Sequence, residues 1–347
     1  MYASQPWLYK ALSAFSIILS RTANLSPMTA RNHHFIPQCY LKGFARNLSK
    51  NSKLLAIDFE SKTAFGTSPK SVAVQRDFNR VDLGGLSIDA LEQDYAKLEG
   101  HVATALRAIE ETRRFDAIDH LSSIINLIAI LAVRTPKGRE FRRRIAERVV
   151  KDSFLKNTAS REAYDAHEEL TREQRQAANI SDFPYEIIKA YVDNDQYSVE
   201  LSTMHHIEQE LPMFREIFPY LRDRRWRLWI APEESGGFVT SDHPVGIVWQ
   251  ESHADGTMPG FASPNSSVSF PLSQNMAISG HFDIQGGTYI ASREHVAAIN
   301  TITICFADRQ VYSEDERFEY MWDGGIKRNS GAGLLNDLLA VRKGDVR

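Results

Sequence analysis

The sequence predicts an α+β fold with an N-terminal motif and short β-hairpin, a central bundle of long helices, and a C-terminal, mostly antiparallel β-sheet. Apolar residues recur at helical spacing over much of residues 87–220. From Arg224 onward, alternating and β-branched runs typical of strands replace that pattern. Because the two patterns occupy separate stretches, the chain lacks the alternation that βαβ units would give.

The composition predicts an ordinary folded protein. The chain has 347 residues, of which 43% are hydrophobic and 24% charged, and its formal net charge is −3, values that exclude a disordered chain. This charge argues against an overall electrostatic attraction to nucleic acid, although a local basic patch is compatible with it. Its two cysteines, Cys39 and Cys305, lie far apart, which excludes a disulfide scaffold and favours the reducing cytoplasm.

Residues 1–30 are predicted to be a leader that the folded domain does not need. The apolar run at residues 11–19 is shorter than the roughly 20 residues of a transmembrane helix, so integral membrane association is not expected. Lys10 alone is a weak charged region for a signal peptide. Three alternatives stay open: a dispensable leader with Met28 as the initiating residue, a peripheral helix, or an export signal.

Residues 31–86 are predicted to contain a histidine-rich motif and a hairpin. Leu54–Phe59 is the first strand candidate, residues 60–63 form a turn, and a second strand follows around residues 63–65. An extended polar and aromatic segment then runs to a pair of glycines at residues 84 and 85.

Residues 87–220 are predicted to form a helical layer. Ser87 is a suitable N-cap for a helix that continues to about Thr112. A second helix, from about residue 117 to residue 134, is apolar nearly all round and is therefore expected to be buried. Pro136 breaks or kinks the helix. Further helical patterns cover residues 138–156, a very polar stretch at 161–178, and residues 182–218.

Residues 224–312 are predicted to be rich in β-structure. The strand candidates are residues 226–230, 238–241, 245–249, 268–272 and 276–278. Residues 296–301 are predicted to begin as a helix before the apolar run Ile302–Phe306. Residues 31–312 together form one predicted domain, and residues 313–347 form a tail with a short helix.

The first candidate site is the segment His33-His34-Phe35-Ile36-Pro37. Imidazole titrates near neutrality and binds metals in its neutral form, so His34, with or without His33, is a candidate base or metal ligand. Adjacent residues on a strand point to opposite faces, so both histidines would bind one metal only in a bent loop. The alternative is that these polar residues lock a tight turn.

Asp242 is the second candidate, within Ser241-Asp242-His243-Pro244 at the end of a predicted strand. A carboxylate in this position is a candidate metal ligand. The consecutive residues cannot form a triad among themselves, because triad geometry needs convergence from separate segments. The alternative is an Asx-turn, in which the carboxylate caps its own backbone before the proline.

Arg134 is the third candidate, at the end of the predicted apolar helix. Its guanidinium suits a carboxylate or a phosphate. The alternative is simple placement of a cation at a helix C-terminus. Arg139 and the run Arg142–Arg144 form a basic face that is either solvated or directed at phosphates.

Several common signatures are absent from the sequence. It contains no GxxxxGK[ST], no GxGxxG after a strand, no HExxH, no GxSxG and no CxxC. P-loop hydrolysis, dinucleotide binding, the common zinc peptidases, α/β-hydrolase chemistry and thiolate zinc sites therefore lack their usual support.

The block His34–Ala45 resembles the opening of the bacterial Domain of Unknown Function 4238 family, whose hallmark is His-x-x-Pro. The similar later blocks are the hairpin around Ile57-Asp58, Arg134-Thr135-Pro136, Thr240–Pro244 and Phe270–Ser273. The resemblance covers about residues 32–306 and implies that His34 and Pro37 are the defining pair. Family members commonly carry Ser-Asp-Asn-Pro where this chain has His243. The resemblance implies no activity.

Two hypotheses follow, and the sequence leaves open whether the protein is an enzyme. In the first, it is a nuclease-like, metal-assisted hydrolase of phosphodiesters with His34, Arg134 and Asp242 as catalytic residues. A divalent metal would be held by His33, His34 and Asp242, and the partner would be nucleic acid or a small phosphorylated ligand. In the second, it is a non-catalytic binding or sensing protein in which the motif is structural. A pocket that joins these side chains favours the first hypothesis, and full burial favours the second.

Overall fold

The computed structural model describes residues 32–47, 49, 51–79, 90–115, 118–177, 181–195, 197–251, 257–328 and 331–343. N-terminal strands, central helices and C-terminal sheets follow one another along the chain, which confirms the α+β prediction. The chain divides into two compact units, one containing residues 139–205 and the other residues 30–138 and 206–347. The predicted leader, the glycine pair at residues 84 and 85, and the helix start at Ser87 lie outside the described residues. The predicted domain boundaries stay predictions.

The larger unit begins with the histidine segment. Strand β1 (Asn32–His34) pairs antiparallel with β4 (Val74–Arg76). Pro37 caps a one-turn helix, α1 (Gln38–Leu41), which continues as a 3₁₀ turn at Lys42–Phe44. This short element is anchored by side chains with no exposed surface, namely Ile36, Tyr40, Leu41 and Phe44.

A four-stranded antiparallel sheet joins the two ends of the larger unit. Its order is β3 (Thr63–Thr67), β2 (Leu54–Asp58), β11 (Gln310–Ser313) and β6 (Thr240–Ser241). The β2–β3 pair confirms the predicted hairpin. In β11, Val311 lies opposite Ser241 on one side and opposite a β2 residue on the other. The strand that precedes Asp242 is therefore held in the same sheet as the N-terminal hairpin, with β11 between them.

A five-stranded sheet forms the rest of the β-structure in the larger unit. Its order is β10 (Gly287–Ile290), β5 (Arg225–Ile230), β9 (Met276–His281), β8 (Ser266–Ser273) and β7 (Gly246–Trp249). All neighbours are antiparallel except β10 and β5, which run parallel. The sheet confirms the predicted mostly antiparallel C-terminal region, although β10 itself was not predicted.

Helices cover the sheets of this unit. They are α2 (Ala90–Thr112), α3 (Ile118–Val133), most of α7 (Thr203–Arg222), α8 (Arg293–Phe306) and α9 (Gly331–Lys343). Helix α3 buries Ile124, Leu127 and Ile128 completely, in agreement with its nearly all-round apolar sequence. Helix α8 continues through the run Ile302–Phe306, because Ile304 packs into a second apolar cluster around Val311. Tertiary packing thus overrides the strand preference of its β-branched residues.

The C-terminal tail contains more structure than its predicted short helix. Strands β12 (Glu319–Trp322) and β13 (Gly325–Arg328) form a two-stranded hairpin ahead of α9. Phe318, just before β12, and Tyr320 within it are buried in the same apolar cluster as Ile304.

The smaller unit is helical. It contains most of α4 (Pro136–Asn157) together with α5 (Arg161–Ala177) and α6 (Tyr185–Asp193). The very polar stretch predicted from residue 161 is helix α5, and its buried Tyr164 donates a hydrogen bond to the Phe183 carbonyl oxygen. Within the described ranges, no single helix is long and apolar enough to cross a membrane; α3 and α4 pass that test only as a broken pair.

Candidate functional site

The C-terminal end of α3 connects two of the segments that the sequence singles out. Arg134 Nη2 donates a hydrogen bond to the backbone carbonyl oxygen of His34, at 3.3 Å. Thr135 Oγ1 lies 2.9 Å from Nδ1 of His243. Two consecutive residues therefore link the histidine segment to the Ser241–Pro244 turn. The structure brings Arg134 to the backbone of His34, and it adds Thr135, which the sequence did not single out as a site residue.

Arg134 is buried against aromatic rings. Its side chain is only 5% exposed. The guanidinium carbon lies 3.9 Å from the ring centroid of Tyr95 and 5.6 Å from that of Phe78. A cation over desolvated rings gains about 2 kcal/mol or more. These contacts give the guanidinium a structural role between the histidine segment and α2.

The two histidines of β1 have different surroundings. His33 is buried, and its Nδ1 accepts a hydrogen bond from the backbone N–H of Asn79 at 2.9 Å. His34 is partly exposed. Burial lowers the pKa of His34, while hydrogen bonding to the backbone of Val72 and Lys70 opposes that shift. A lowered pKa leaves its imidazole neutral at pH 7.

The space beside Arg134 is very small. A cavity of about 10 Å³ is lined by Phe35, Pro37, Tyr95, Glu99 and Arg134, among others. That volume holds at most about one water molecule. Among the described residues, the histidine segment and the arginine therefore do not frame a space that a phosphodiester could enter.

Asp242 is held by a loop that lies far away in the sequence. Its Oδ1 accepts the backbone N–H of Asp308, and its Oδ2 accepts those of Arg309 and Gln310, all at 2.8 Å. Its own N–H donates to the carbonyl oxygen of Gln310 at 3.0 Å. Burial raises the pKa of Asp242 to about 6, although the three N–H groups favour the ionised form. The carboxylate thus caps the turn between α8 and β11.

His243 packs beside this turn. Its ring lies parallel to that of Phe306, with the centroids 6.5 Å apart. Burial, and secondarily the charge of Lys137, lowers the pKa of His243 to about 4, so the imidazole is neutral at pH 7. Lys137 Nζ donates to the carbonyl oxygens of Phe306 and Ala307 at the C-terminus of α8, where a cation is favourable.

The predicted metal ligands do not assemble. Among the residues that the structure describes, no group of three or more His, Cys, Asp and Glu side chains could hold a metal ion. His33, His34 and Asp242 therefore do not form such a group. The reason is local: His33 accepts a backbone N–H, and both oxygens of Asp242 accept the N–H groups of the 308–310 turn.

The predicted basic face of α4 is partly neutralised. Glu140 accepts hydrogen bonds from Arg143 at 2.7 Å and from Arg144 at 2.9 Å. These two guanidiniums lower the pKa of Glu140 to about 2. Arg143 also donates to the carbonyl oxygen of Val199. At least these two arginines serve helix contacts within the smaller unit.

Comparison with known proteins places the chain in a family. A family model described as a protein of unknown function, DUF4238, matches residues 32–317. The chain therefore belongs to this family. No curated protein and no solved structure matches the chain.

Proposed function

We propose that the protein is a non-catalytic binding or sensing protein in which His34–Pro37, Arg134 and Asp242 hold the fold together. The observation that carries the proposal is that both carboxylate oxygens of Asp242 accept backbone N–H groups of residues 308–310. A metal ligand or catalytic carboxylate would need an oxygen directed at a substrate or ion.

The surroundings of Arg134 support the same proposal. Its guanidinium is stacked on Tyr95 and bonded to the His34 carbonyl oxygen, beside a cavity of about 10 Å³. Sites that bind a small molecule have volumes of roughly 300–1,000 Å³. The phosphodiester hydrolase hypothesis uses these same residues, and it needs them to face a larger space.

We also propose a cytoplasmic location, which the two free cysteines support. Cys39 is partly buried, and burial raises its pKa to about 12, so this thiol is not activated as a nucleophile.

The test of the proposed function is a turnover assay with matched variants. Wild-type protein is incubated with bis(4-nitrophenyl) phosphate and with single- and double-stranded DNA and RNA, in the presence of Mg²⁺, Mn²⁺ or Zn²⁺. The expected result is no turnover above the blank for wild type, Asp242→Asn or the control Asp283→Asn, whose carboxylate is exposed. Turnover by wild type that disappears in a folded Asp242→Asn protein and persists in the control would overturn the proposal.

A further inference from the structure

A cleft of about 480 Å³ lies in the larger unit, at one edge of the five-stranded sheet. Because β5 and β10 run parallel, their first residues lie at the same end of the sheet, with Gly287 opposite Arg227. The end of α2 and the first turn of α3 form the facing wall. Thr288 Oγ1 ties the two walls together through a hydrogen bond to the carbonyl oxygen of Arg113, at 3.2 Å.

Basic residues line this cleft. Arg114 and Arg225 are exposed and border it. In the part of the chain that the structure describes, neither forms an ion pair with a carboxylate. Asp223, the acidic residue nearest to Arg225 in the sequence, forms an ion pair with Arg222 at 2.8 Å. Two guanidiniums at one cleft that have no carboxylate partner among the described residues favour an anionic ligand.

A third arginine adds charge without being available to a ligand. Arg224 is buried, and its guanidinium donates to the carbonyl oxygens of Ser266 and Phe261, at 2.7 and 2.8 Å. It also lies over the ring of Phe282. Its positive charge therefore strengthens the potential at the cleft, while its side chain is fixed by the sheet.

The rest of the lining is largely apolar. Phe115 and Leu121 are half-buried. Trp226 is 5% exposed: its ring lies against Gly280 in the core, and its indole N–H donates to the carbonyl oxygen of Leu221 at 3.1 Å. A ligand that fits both parts of this lining carries an anionic group and an aromatic or apolar body.

Two glycines allow the chain to pass close to β5 beside the cleft. A Cβ on Gly286 would lie 3.0 Å from the carbonyl oxygen of Trp226, so a side chain here would push the loop away from β5. Gly287 has a φ of +143°, a conformation that L-residues rarely adopt. The chain thus passes close to β5 at this edge without placing a side chain in the space.

We propose that this cleft binds a nucleoside monophosphate. Arg114 and Arg225 hold the phosphate, and the half-buried Phe115 and Leu121 receive the base and sugar. The inference rests on the proposed binding function, for which it names the site and the ligand class. Its volume lies within the range of small-ligand sites, which favours a small molecule over a nucleic-acid strand.

The test is isothermal titration of the full chain with AMP, GMP, CMP and UMP, each compared with its nucleoside and with inorganic phosphate. At least one monophosphate is expected to bind, with its nucleoside and phosphate at least about tenfold weaker, because each lacks one half of the recognition. Arg114→Gln and Arg225→Gln are each expected to weaken binding about tenfold or more. Arg222→Gln, an exposed arginine three residues from Arg225, is the matched control and is expected to bind as wild type does.

Several outcomes would overturn the cleft assignment. They are no binding of any monophosphate, equal binding of inorganic phosphate, or binding that both cleft variants retain while circular dichroism shows them folded. Tighter binding of a 20-nucleotide single strand that the same variants weaken would assign the cleft to nucleic acid and contradict the proposal. Phosphodiester turnover dependent on Asp242 would instead refute the proposed function, so the two failures are distinguishable.

Discussion

Replacement of Asp242 by alanine most directly tests the proposed structural role of this carboxylate, which holds the turn at residues 308–310. The change removes the acceptor of three backbone hydrogen bonds at 2.8 Å and leaves the rest of the turn intact. Asp242 as a whole is 6% exposed, so solvent replaces its carboxylate poorly. At pH 7.5 it is mostly ionised, because its pKa is raised only to about 6.

The size of the effect follows from these contacts. A net contribution of about 1–1.5 kcal/mol per hydrogen bond gives roughly 3–4.5 kcal/mol for the three bonds to residues 308–310. The value lies at the lower end of that range if water reaches the N–H groups of Asp308 and Arg309, since both residues are exposed. Loss of a few kcal/mol is a large share of the stability of a folded domain.

The assay is urea unfolding at pH 7.5, followed by far-ultraviolet circular dichroism. Asp242→Ala is expected to lower the free energy of unfolding by about 3 kcal/mol or more, with the urea slope unchanged. The control is Asp283→Ala, which removes an exposed carboxylate whose hydrogen bond to Gln250 is 3.4 Å long, and it is expected to cost less than about 0.5 kcal/mol. Equal effects of the two substitutions would refute the reasoning.

Three other substitutions test the structural roles of buried side chains in the larger unit. Arg134→Lys is expected to cost about 2 kcal/mol in urea unfolding, because an ammonium loses the planar stack on Tyr95. Tyr40→Phe is expected to cost about 1–2 kcal/mol, because the buried hydroxyl donates to the Pro271 carbonyl oxygen at 2.8 Å. His243→Gln is expected to flatten the pH dependence of stability. The imidazole takes up a proton near pH 6.5 in the unfolded chain but only near pH 4 in the folded one, so in wild type this residue lowers the free energy of unfolding as the pH falls from 6.5 to 4.

Each of these three has an outcome that contradicts it. For the arginine, the contradicting result is a loss no larger than that of Arg222→Lys, an exposed surface change. For the tyrosine, it is a stability within about 0.5 kcal/mol of wild type. For the histidine, it is an unchanged slope between pH 6.5 and pH 4. Asp242 contributes the opposite slope between about pH 4 and pH 6, since its folded pKa is raised, so the histidine effect is read as the difference between variant and wild type.

Local sequence patterns predicted the helices and strands whose packing follows their local sequence preference. The hairpin at residues 54–67 and the buried α3 are examples, because a short apolar run before a polar turn and all-round apolarity are visible in the sequence itself. β10 was missed because Gly287–Ile290 is a short edge strand with little buried surface. The continuation of α8 through Ile302–Phe306 was missed because its packing partners lie in distant strands.

The contacts of the candidate site residues could not be predicted from the sequence. The sequence singled out Arg134 and Asp242, but nothing near them shows that Tyr95 lies under the guanidinium or that residues 308–310 cap the carboxylate. Such partners, nearly 40 and more than 60 positions away, depend on the assembled fold. The arginine-lined cleft was also invisible, because it needs the parallel pairing of β5 with the unpredicted β10.

The most direct test of the structural role of Asp242 is backbone hydrogen exchange at residues 308–310. The amide hydrogens of Asp308, Arg309 and Gln310 are donors to this carboxylate, although the first two residues are exposed. The proposed role predicts protected amides in wild type and fast exchange in Asp242→Ala, with no comparable change in Asp283→Ala. Amides that exchange equally fast in wild type and in Asp242→Ala would show that the carboxylate is not committed to this turn, and would contradict the proposal.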